Sequence, residues 1–178
     1  MPDIDLAKLR IVHYPDPCLK KVCKPFEDFD GTLPGLAAKM LELMHAAVGI
    51  GLAGPQVAVL RRIFVCNVTG EPKDDLVFVN PKLTNFIGHA EAEEGCLSLP
   101  DINVSVRRPQ VCTIEALDVH GKPFKMEGSD LLARCWQHEY DHLDGRLIVD
   151  TMSEADKIAN RRSVKHLESN YRRPATVF

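Results

Sequence analysis

Residues 137–145 read Gln-His-Glu-Tyr-Asp-His-Leu-Asp-Gly, and they contain an H-E-x-x-H pattern. The six residues before them, Leu-Leu-Ala-Arg-Cys-Trp at 131–136, are apolar apart from one arginine. This stretch, with Ser129 or Asp130 as a cap, predicts a helix from Ser129 to about Leu143. Because its first half is apolar on most faces, we expect other parts of the chain to surround the helix.

His138 and His142 lie four positions apart within this predicted helix. At 3.6 residues per turn, side chains at that spacing share a face, so both imidazoles can reach one metal ion. Glu139 follows the first histidine and is placed to act on water bound to the metal. The alternative is a helix with two surface histidines and no chemistry. A buried helix favours the metal, because buried polar side chains need partners.

A third ligand would decide the class of metal site. Ile148 stands where the extended metzincin pattern has its last histidine, which excludes a metzincin site. Glu154 and Glu168 are the downstream candidates for the glutamate of a thermolysin-like protease. Both fall in a polar terminal helix, which makes them weak candidates.

Cysteine is the remaining ligand type. Cys135 lies one turn before His138, but it is about 10 Å along the helix axis from His142, so its short side chain would not reach the metal. Cys96 comes from a separate segment and follows a flexible glycine, so it can approach from across the site. Four cysteines are interpreted as small buried apolar residues: Cys18, Cys66, Cys112 and Cys135.

The segments before this helix predict one helix and several strands. Apolar residues at helical spacing indicate a helix from Leu33 to Val48, and a glycine-rich turn, GIGLAGPQ, follows at 49–56. Residues 62–118 are rich in β-branched and aromatic residues and predict strands. Within them, 91–101 is interpreted as a loop or a strand edge.

The predicted fold class is α+β, in one domain over residues 1–178. We expect mixed, mainly antiparallel β-sheets packed around the buried helix that carries H-E-x-x-H. A helix in the N-terminal half and a C-terminal helix complete the architecture. The C-terminal helix is predicted from Ser153 to about Glu168, with Ser153 and Asp156 as a capping-box-like pair.

Composition excludes several classes of protein. The 178 residues are 45% hydrophobic and 26% charged with a net charge of -3, which is ordinary for a globular protein and argues against DNA binding. No apolar run is long enough for a membrane span, and the N-terminus lacks a signal-peptide pattern. The six cysteines form no C-x-x-C pair, which favours reduced thiols. We therefore expect a soluble, cytoplasmic protein.

Three segments resemble the signature segments of the bacterial-type peptide deformylases, and they occur in the expected order. They are GIGLAGPQ at 49–56, EGCLS at 94–98 and QHEYDHLDG at 137–145. HYPDPCLKKVCKP at 13–25 also resembles the opening of that family, so the resemblance spans about residues 11–150. One position departs from the family, because Gly54 stands where alanine is usual, which is expected to loosen the turn.

The resemblance implies an enzyme that removes the formyl group from the N-terminal methionine of newly made proteins. It implies one metal ion per chain, held by Cys96, His138 and His142, with water in the fourth position. Glu139 would act first as general base and then as general acid. Ferrous iron is the implied ion, with zinc, nickel or cobalt as substitutes, although thiolate and imidazole ligands by themselves suit zinc.

The resemblance also implies the residues that contact the substrate. The Gln56 side-chain amide and the Leu97 backbone N–H would donate to the formyl oxygen as it gains negative charge. Ile50 and Gly51 would line the groove that binds the peptide. These four residues are expected to surround the metal.

Further residues are expected close to the site. Arg134 and Trp136 stand where related sequences are often aliphatic, which leaves the shape of the methionine pocket open. Glu94, Gln137 and Asp141 either orient the metal ligands or are ordinary polar residues, and the sequence does not decide between these roles.

Partners and alternative functions follow from the same resemblance. Formyl-methionyl nascent peptides are the implied substrates. The basic terminal helix suggests a transient ribosome contact, with a solvated helix face as the alternative. Its basic residues are Arg161, Arg162, Lys165, Arg172 and Arg173. Two other functions remain open, a zinc peptidase that cleaves internal peptide bonds and a non-catalytic protein with a closed structural zinc site.

Overall fold

A computed structural model describes residues 4–29 and 31–172, which form three α-helices and seven β-strands joined by short 3-10 turns. The helices are α1 (Thr32–Ala46), α2 (Asp130–Leu143) and α3 (Glu154–Asn170). The strands are β1 (Gly51–Ala53), β2 (Ile63–Cys66), β3 (Leu76–Ile87), β4 (Ala90–Cys96), β5 (Leu99–Arg108), β6 (Val111–Leu117) and β7 (Pro123–Ser129).

The three predicted helices are present, with small shifts at their ends. Helix α1 ends before the predicted Val48, because that residue has a left-handed φ of 55° and turns the chain into the glycine-rich segment. Ser129 is the N-cap of α2, although its side chain makes no capping hydrogen bond. Ser153 caps α3 in a capping box, and its Oγ accepts from the Asp156 backbone N–H at 3.1 Å.

Five strands form one antiparallel sheet in the order β1-β2-β3-β6-β7. Successive residues of a strand face opposite sides of the sheet, and β2 shows the consequence. Phe64 belongs to the apolar cluster that contains Trp136 of α2, whereas Val65 belongs to the cluster that contains Met40 of α1. Helices α1 and α2 therefore cover opposite faces of the sheet.

Strands β4 and β5 form a separate two-stranded antiparallel sheet, called here the β4–β5 hairpin. Residues 91–101 lie mostly within this hairpin, so of the two interpretations of that segment the loop was wrong and the strand edge agrees with the structure. Strand β4 was not recognised because most of its side chains are exposed and acidic, and acidic residues are depleted in strands. The buried side chains of the hairpin, such as Ile102 and Val104, belong to β5. The register pairs Cys96 with Leu99, which leaves a tight turn of two residues at the tip.

A third apolar cluster joins the β4–β5 hairpin to the rest of the molecule. Buried Leu99 and Val104 of the hairpin pack with Leu19 and Leu147, and Val164 of α3 lies against them. The architecture is the expected α+β arrangement, with α2 buried between the sheet and the hairpin. Among the helices of the described ranges, none is long and apolar enough to cross a membrane.

Candidate metal centre

Three candidate metal ligands converge from two elements. Cys96 is the last residue of β4, and His138 and His142 lie one turn apart on α2. One ligand atom from each of the three lies within 4.8 Å of the others, and the Cys96 Sγ is 3.3 Å from the His142 Nε2. Within residues 4–29 and 31–172, this is the one His, Cys, Asp and Glu group compact enough to hold a metal. The three predicted ligands are therefore together.

Hydrogen bonds to the hairpin tip hold Cys96 in position. The tight turn after Cys96 presents the Ser98 carbonyl to the backbone N–H of Tyr14 at 2.9 Å. The Ser98 hydroxyl accepts from the Gln56 Nε2 at 3.2 Å. The tip is therefore attached to both the N-terminal segment and the glycine-rich segment, which limits its movement relative to α2.

His138 is oriented by Glu94. Its Nδ1 lies 3.0 Å from the Glu94 Oε2, so an Nδ1 proton directed at the carboxylate leaves the Nε2 lone pair free for a metal. Burial by itself would raise the pKa of Glu94, but hydrogen bonds from His138 and Arg108 and the charge of Arg108 lower that pKa to about 2. Glu94 is therefore an ionised acceptor in contact with His138, the arrangement expected of a residue that orients a metal ligand.

The electrostatic environment suits metal ligation. Burial, followed by the charge of His138, lowers the pKa of His142, so its imidazole is in the neutral form that binds metals. Burial and the nearby Glu139 carboxylate raise the pKa of the Cys96 thiol. A bound cation reverses that effect, because it stabilises the thiolate.

Glu139 is a buried carboxylate beside the ligands. Its Oε2 has no hydrogen-bond partner in the described part of the chain, and neither has the Nδ1 of His142. Burial, and then the charge of Cys66, raises the pKa of Glu139 well above its usual range. Buried polar atoms without partners are rare in proteins, and the unpartnered Glu139 Oε2 fits a site that a metal ion and water complete.

A cavity of about 540 Å³ opens onto this centre. Both Cys96 and His138 line it, and Glu139 forms part of its inner wall. Three buried or half-buried ligands, a free carboxylate and an open cavity together form the pattern of a catalytic metal site.

The sequence of the chain matches the family model of polypeptide deformylases over residues 8–158. The chain belongs to the polypeptide deformylase family. It is therefore an enzyme, a hydrolase that removes the formyl group from formylated nascent peptides, and the deformylase family is metal-dependent.

Solved deformylase structures agree with this assignment. A peptide deformylase from Legionella pneumophila is 41% identical, covers 92% of this chain and 99% of its own, and superposes with a TM-score of 0.85. The plant peptide deformylase PDF1B is 38% identical over 96% of this chain and 94% of its own, with a TM-score of 0.90. A deformylase from Plasmodium falciparum is 32% identical over 94% of this chain and 100% of its own, with a TM-score of 0.88.

In this deformylase, Gln56 faces the metal ligands in a defined orientation. Its Oε1 accepts from the Ala53 backbone N–H at 2.8 Å, which directs the Nε2 donor toward the Cys96 Sγ at 3.4 Å. Leu97 and Ile50 line the same cavity, and so does Gly51. All four predicted substrate-contacting residues therefore surround the cavity.

Gly54 has a different effect from the one expected. A Cβ at this position would lie 2.6 Å from the Val59 carbonyl oxygen and 2.7 Å from that of Arg61. The glycine therefore lets two backbone segments pack closely, and it does not loosen the turn. Gln56 remains in place.

Arg134 and Trp136 of α2, which stand where related sequences are often aliphatic, lie in different surroundings. Trp136 is completely buried against Phe78 in the core and does not line the cavity, which answers for this residue the question that the sequence left open. Arg134 does line the cavity, but its guanidinium bonds to Glu94 and to two backbone carbonyls of the β4–β5 hairpin.

The two remaining polar candidates make different contacts. Asp141 accepts from the Arg108 NH1 at 2.8 Å, and Arg108 in turn contacts Glu94. The Gln137 amide donates to the carbonyls of Pro109 and Ala133, so it stabilises the backbone. Arg108 itself was missed by sequence reasoning, because one arginine in a strand carries no local signal of its distant partners.

The other candidate ligands are not members of the three-residue ligand group. The Cys135 thiol donates to the Ile50 carbonyl at 3.3 Å, and Glu168 accepts from the Tyr14 hydroxyl at 3.2 Å. Glu154 pairs with Lys157 on the surface. All six cysteines are free thiols, and of the four interpreted as buried only Cys18 is partly exposed.

Proposed function

We propose that Cys96, His138 and His142 hold one catalytic divalent metal ion, and that Glu139 transfers the proton during deformylation. The observation that carries this proposal is the convergence of three ligand atoms within 4.8 Å beside a buried carboxylate oxygen without a partner. A divalent ion in an open three-ligand site supplies Lewis acidity and a water nucleophile at neutral pH.

Glu139 is suited to accept and return a proton. Its raised pKa makes the carboxylate a stronger base than an exposed glutamate, and its unpartnered Oε2 is free to accept from water. The same oxygen can then deliver the proton to the departing amine. Glu139 lines the cavity, where it can contact both the water and the departing amine.

Gln56 and Leu97 are proposed as donors to the formyl oxygen. The orientation of the Gln56 amide supports this role, because its carbonyl end is already occupied by Ala53 and its NH₂ end faces the metal ligands. The Leu97 backbone lies in the hairpin tip beside Cys96. Donors that are fixed before the reaction stabilise developing negative charge most effectively.

Ile50 and Gly51 are proposed to bind the peptide backbone and its first side chain. Strand β1, which begins at Gly51, is the edge strand of the five-stranded sheet, so its outer side is available for a substrate strand. Ile50 lines the cavity and is 42% exposed, so its apolar side chain is available for contact with methionine.

We propose ferrous iron as the ion used in the cell, with zinc, nickel or cobalt as substitutes. The Cys-His-His donor set accepts all four metals, so the choice of iron rests on the resemblance to the bacterial-type enzymes. Metal analysis after anaerobic purification tests it. Iron with high activity that declines in air is the expected result, and stoichiometric zinc with full activity would contradict it.

The site assignment is tested with a short formyl-methionyl peptide, by measuring the amine that is released. We expect the wild type to deformylate it. Glu139→Gln should retain the metal and lose about 100- to 10,000-fold in activity, the range typical of a general base. Cys96→Ser should lose the metal itself, whereas Cys18→Ser, a matched change outside the ligand group, should keep both metal and activity.

The same assay separates the alternatives. Internal cleavage of the unformylated peptide would indicate a zinc peptidase. A metal-loaded wild type without activity, or a Glu139→Gln variant with full activity, would contradict the catalytic site. A fourth protein ligand, as in a closed structural zinc site, is not present in the metal-binding group found among the described residues.

Residues 1–178 are proposed to act as one catalytic domain in the cytoplasm. The family match over residues 8–158 and the packing of α3 on the β4–β5 hairpin support one domain. A reducing compartment is supported by the free Cys96 thiol, since an oxidised sulfur would not bind the metal. Cell fractionation tests the location, and enrichment with a membrane or organelle fraction would contradict it.

A transient ribosome contact is proposed for the exposed basic surface of α3. Arg161, Arg162 and Lys165 are exposed on this helix, and Arg172 lies just beyond it, whereas Arg173 is outside the described residues. Exposed cations suit a salt-sensitive contact with RNA. Wild-type protein should pellet with ribosomes at low salt, and a triple alanine variant of the three α3 residues should not. Equal pelleting of both would contradict the contact.

A further inference from the structure

Arg134 connects the two elements that supply the metal ligands. It lies on α2, and its side chain is 12% exposed. Its Nη1 donates to the Glu94 Oε1 at 2.7 Å and to the Val106 carbonyl at 2.9 Å, and its Nη2 donates to the Ala90 carbonyl at 2.7 Å. One side chain of α2 therefore bonds to both strands of the β4–β5 hairpin.

This connection matters because the ligands come from both sides of it. The hairpin carries Cys96, and α2 carries His138 and His142. Among the described residues, the hairpin pairs with no strand of the five-stranded sheet, so strand pairing does not set its distance from α2. Side chains that bridge the gap must contribute to that distance.

Arg108 and Arg134 bind the same carboxylate from different elements. Arg108 lies on β5 and makes a bidentate pair with Glu94 at 2.6 and 2.9 Å, so that pair holds Glu94 within the hairpin. Arg134 lies on α2, so its bond to the Glu94 Oε1 holds the same carboxylate to the helix. The Glu94 Oε2 remains in contact with the His138 Nδ1.

The contacts of Arg134 also argue against a role in substrate binding. Its guanidinium lines the cavity, but its three bonds are directed at the hairpin and its charge is paired with Glu94. A paired charge of this kind offers little attraction to an acidic group of a peptide.

We propose that Arg134 is a positioning residue that fixes the β4–β5 hairpin against α2 and thereby keeps Cys96 in reach of a metal bound by His138 and His142. This inference rests on the proposed function, because it requires those three residues to be the ligands. It assigns Arg134 a role in metal retention, which differs from lining the methionine pocket.

The test uses Co²⁺ as the probe and the full chain. Arg134→Met keeps most of the aliphatic stem and removes the guanidinium. Arg134→Lys keeps the charge, but its single ammonium nitrogen cannot bond to Glu94 and both carbonyls together. Arg107→Met changes an exposed residue of β5 and is the control. Three quantities are measured: the rate of Co²⁺ release to a chelator, the thiolate-to-cobalt absorption band, and kcat and KM separately.

We expect Arg134→Met to release Co²⁺ about 10-fold faster than the wild type, the lower range for residues that orient metal ligands. The thiolate band should weaken or shift, and kcat should fall more than KM rises. Arg134→Lys should be intermediate, which provides the answer if Arg134→Met does not fold. Arg107→Met should match the wild type.

The outcomes separate this inference from the proposed function. A wild type without a thiolate band would overturn the metal-site assignment itself. A normal wild type with unchanged Co²⁺ release and an unchanged band in both Arg134 variants would overturn only the role of Arg134, even if the unfolding free energy fell. A higher KM with unchanged Co²⁺ release would also overturn it, because that result assigns Arg134 to the substrate pocket.

Discussion

The two sides of the metal centre are held together by different physical means. On one side, α2 and the β4–β5 hairpin are joined by charged hydrogen bonds that centre on Glu94, with Arg108 and Arg134 as donors. On the other side, the glycine-rich segment at 49–56 is held by close backbone packing. At Gly51 and Gly54 there is no room for a Cβ.

This difference predicts two different kinds of sensitivity. The charged side should respond to the loss of a charge, because a buried ion left without its partner is costly. The glycine side should respond to added volume, because its neighbours are close-packed and cannot move without cost. The substitutions below alter one side at a time.

The largest effect on stability is expected from Glu94→Gln on the charged side. The change removes the charged carboxylate that buried Arg108 and largely buried Arg134 share, although Arg108 keeps its bond to Asp141. Breaking a buried ion pair typically costs about 3–5 kcal/mol. The free energy of unfolding of the metal-free protein, from urea denaturation, should fall by that amount. Glu91→Gln, on the exposed face of the same strand, should change it little. If Glu94→Gln and Glu91→Gln had equal free energies of unfolding, the charged hydrogen bonds would not distinguish this side of the metal centre from the glycine side.

The charged side shows where sequence reasoning reaches its limit. Cys96, His138, His142 and Glu139 could be predicted, because their motifs are local and their chemistry is specific. The contacts of Arg108 and Arg134 with Glu94 could not, since they join residues 14 and 40 positions apart through a hairpin that the acidic sequence of β4 concealed. Ion pairs between distant residues depend on strand register and helix placement, and a local sequence pattern predicts neither.

Gly51→Ala tests the glycine side. The added Cβ would overlap the Glu139 Oε1 and would lie 2.8 Å from its Cδ and 2.9 Å from the Cys135 Sγ, so the carboxylate must move. Displacement of a catalytic group by about 1 Å can cost roughly 100-fold in rate, and we expect kcat to fall by about that factor while metal content stays normal. The assay is deformylation of the formyl-methionyl peptide together with metal analysis.

The control for this substitution is Gly31→Ala, because a Cβ there would meet nothing within 4 Å. It should leave kcat unchanged. Loss of metal from Gly51→Ala would show that added volume on the glycine side also disturbs the ligands, and the two sides would then not be independent.

On the glycine side, the sequence predicted which residues lie at the cavity better than it predicted how they pack. The motif led to Gln56 and Gly51 as site residues, and both line the cavity. The role of Gly54 was misjudged, because its two backbone neighbours at Val59 and Arg61 come from the following turn. Fold class and helices were predictable from periodicity, whereas close backbone approaches depend on the completed fold.

The smallest effect is expected at Val48, where the glycine side begins. Val48 has a φ of 55°, and it is 92% exposed, so its side chain gains little from packing. The left-handed conformation is needed because the Gly49 N–H bonds to the Met44 carbonyl at 2.9 Å and closes the end of α1. A β-branched residue is poorly suited to that conformation, whereas asparagine tolerates it. Val48→Asn should therefore raise the free energy of unfolding by about 1 kcal/mol, measured by urea denaturation.

Val48→Ala keeps a Cβ in the same conformation but removes the branch, so its gain in the free energy of unfolding should be smaller. If neither variant is more stable than the wild type, the left-handed residue is not strained, and close packing at the glycines alone distinguishes this side from the charged one.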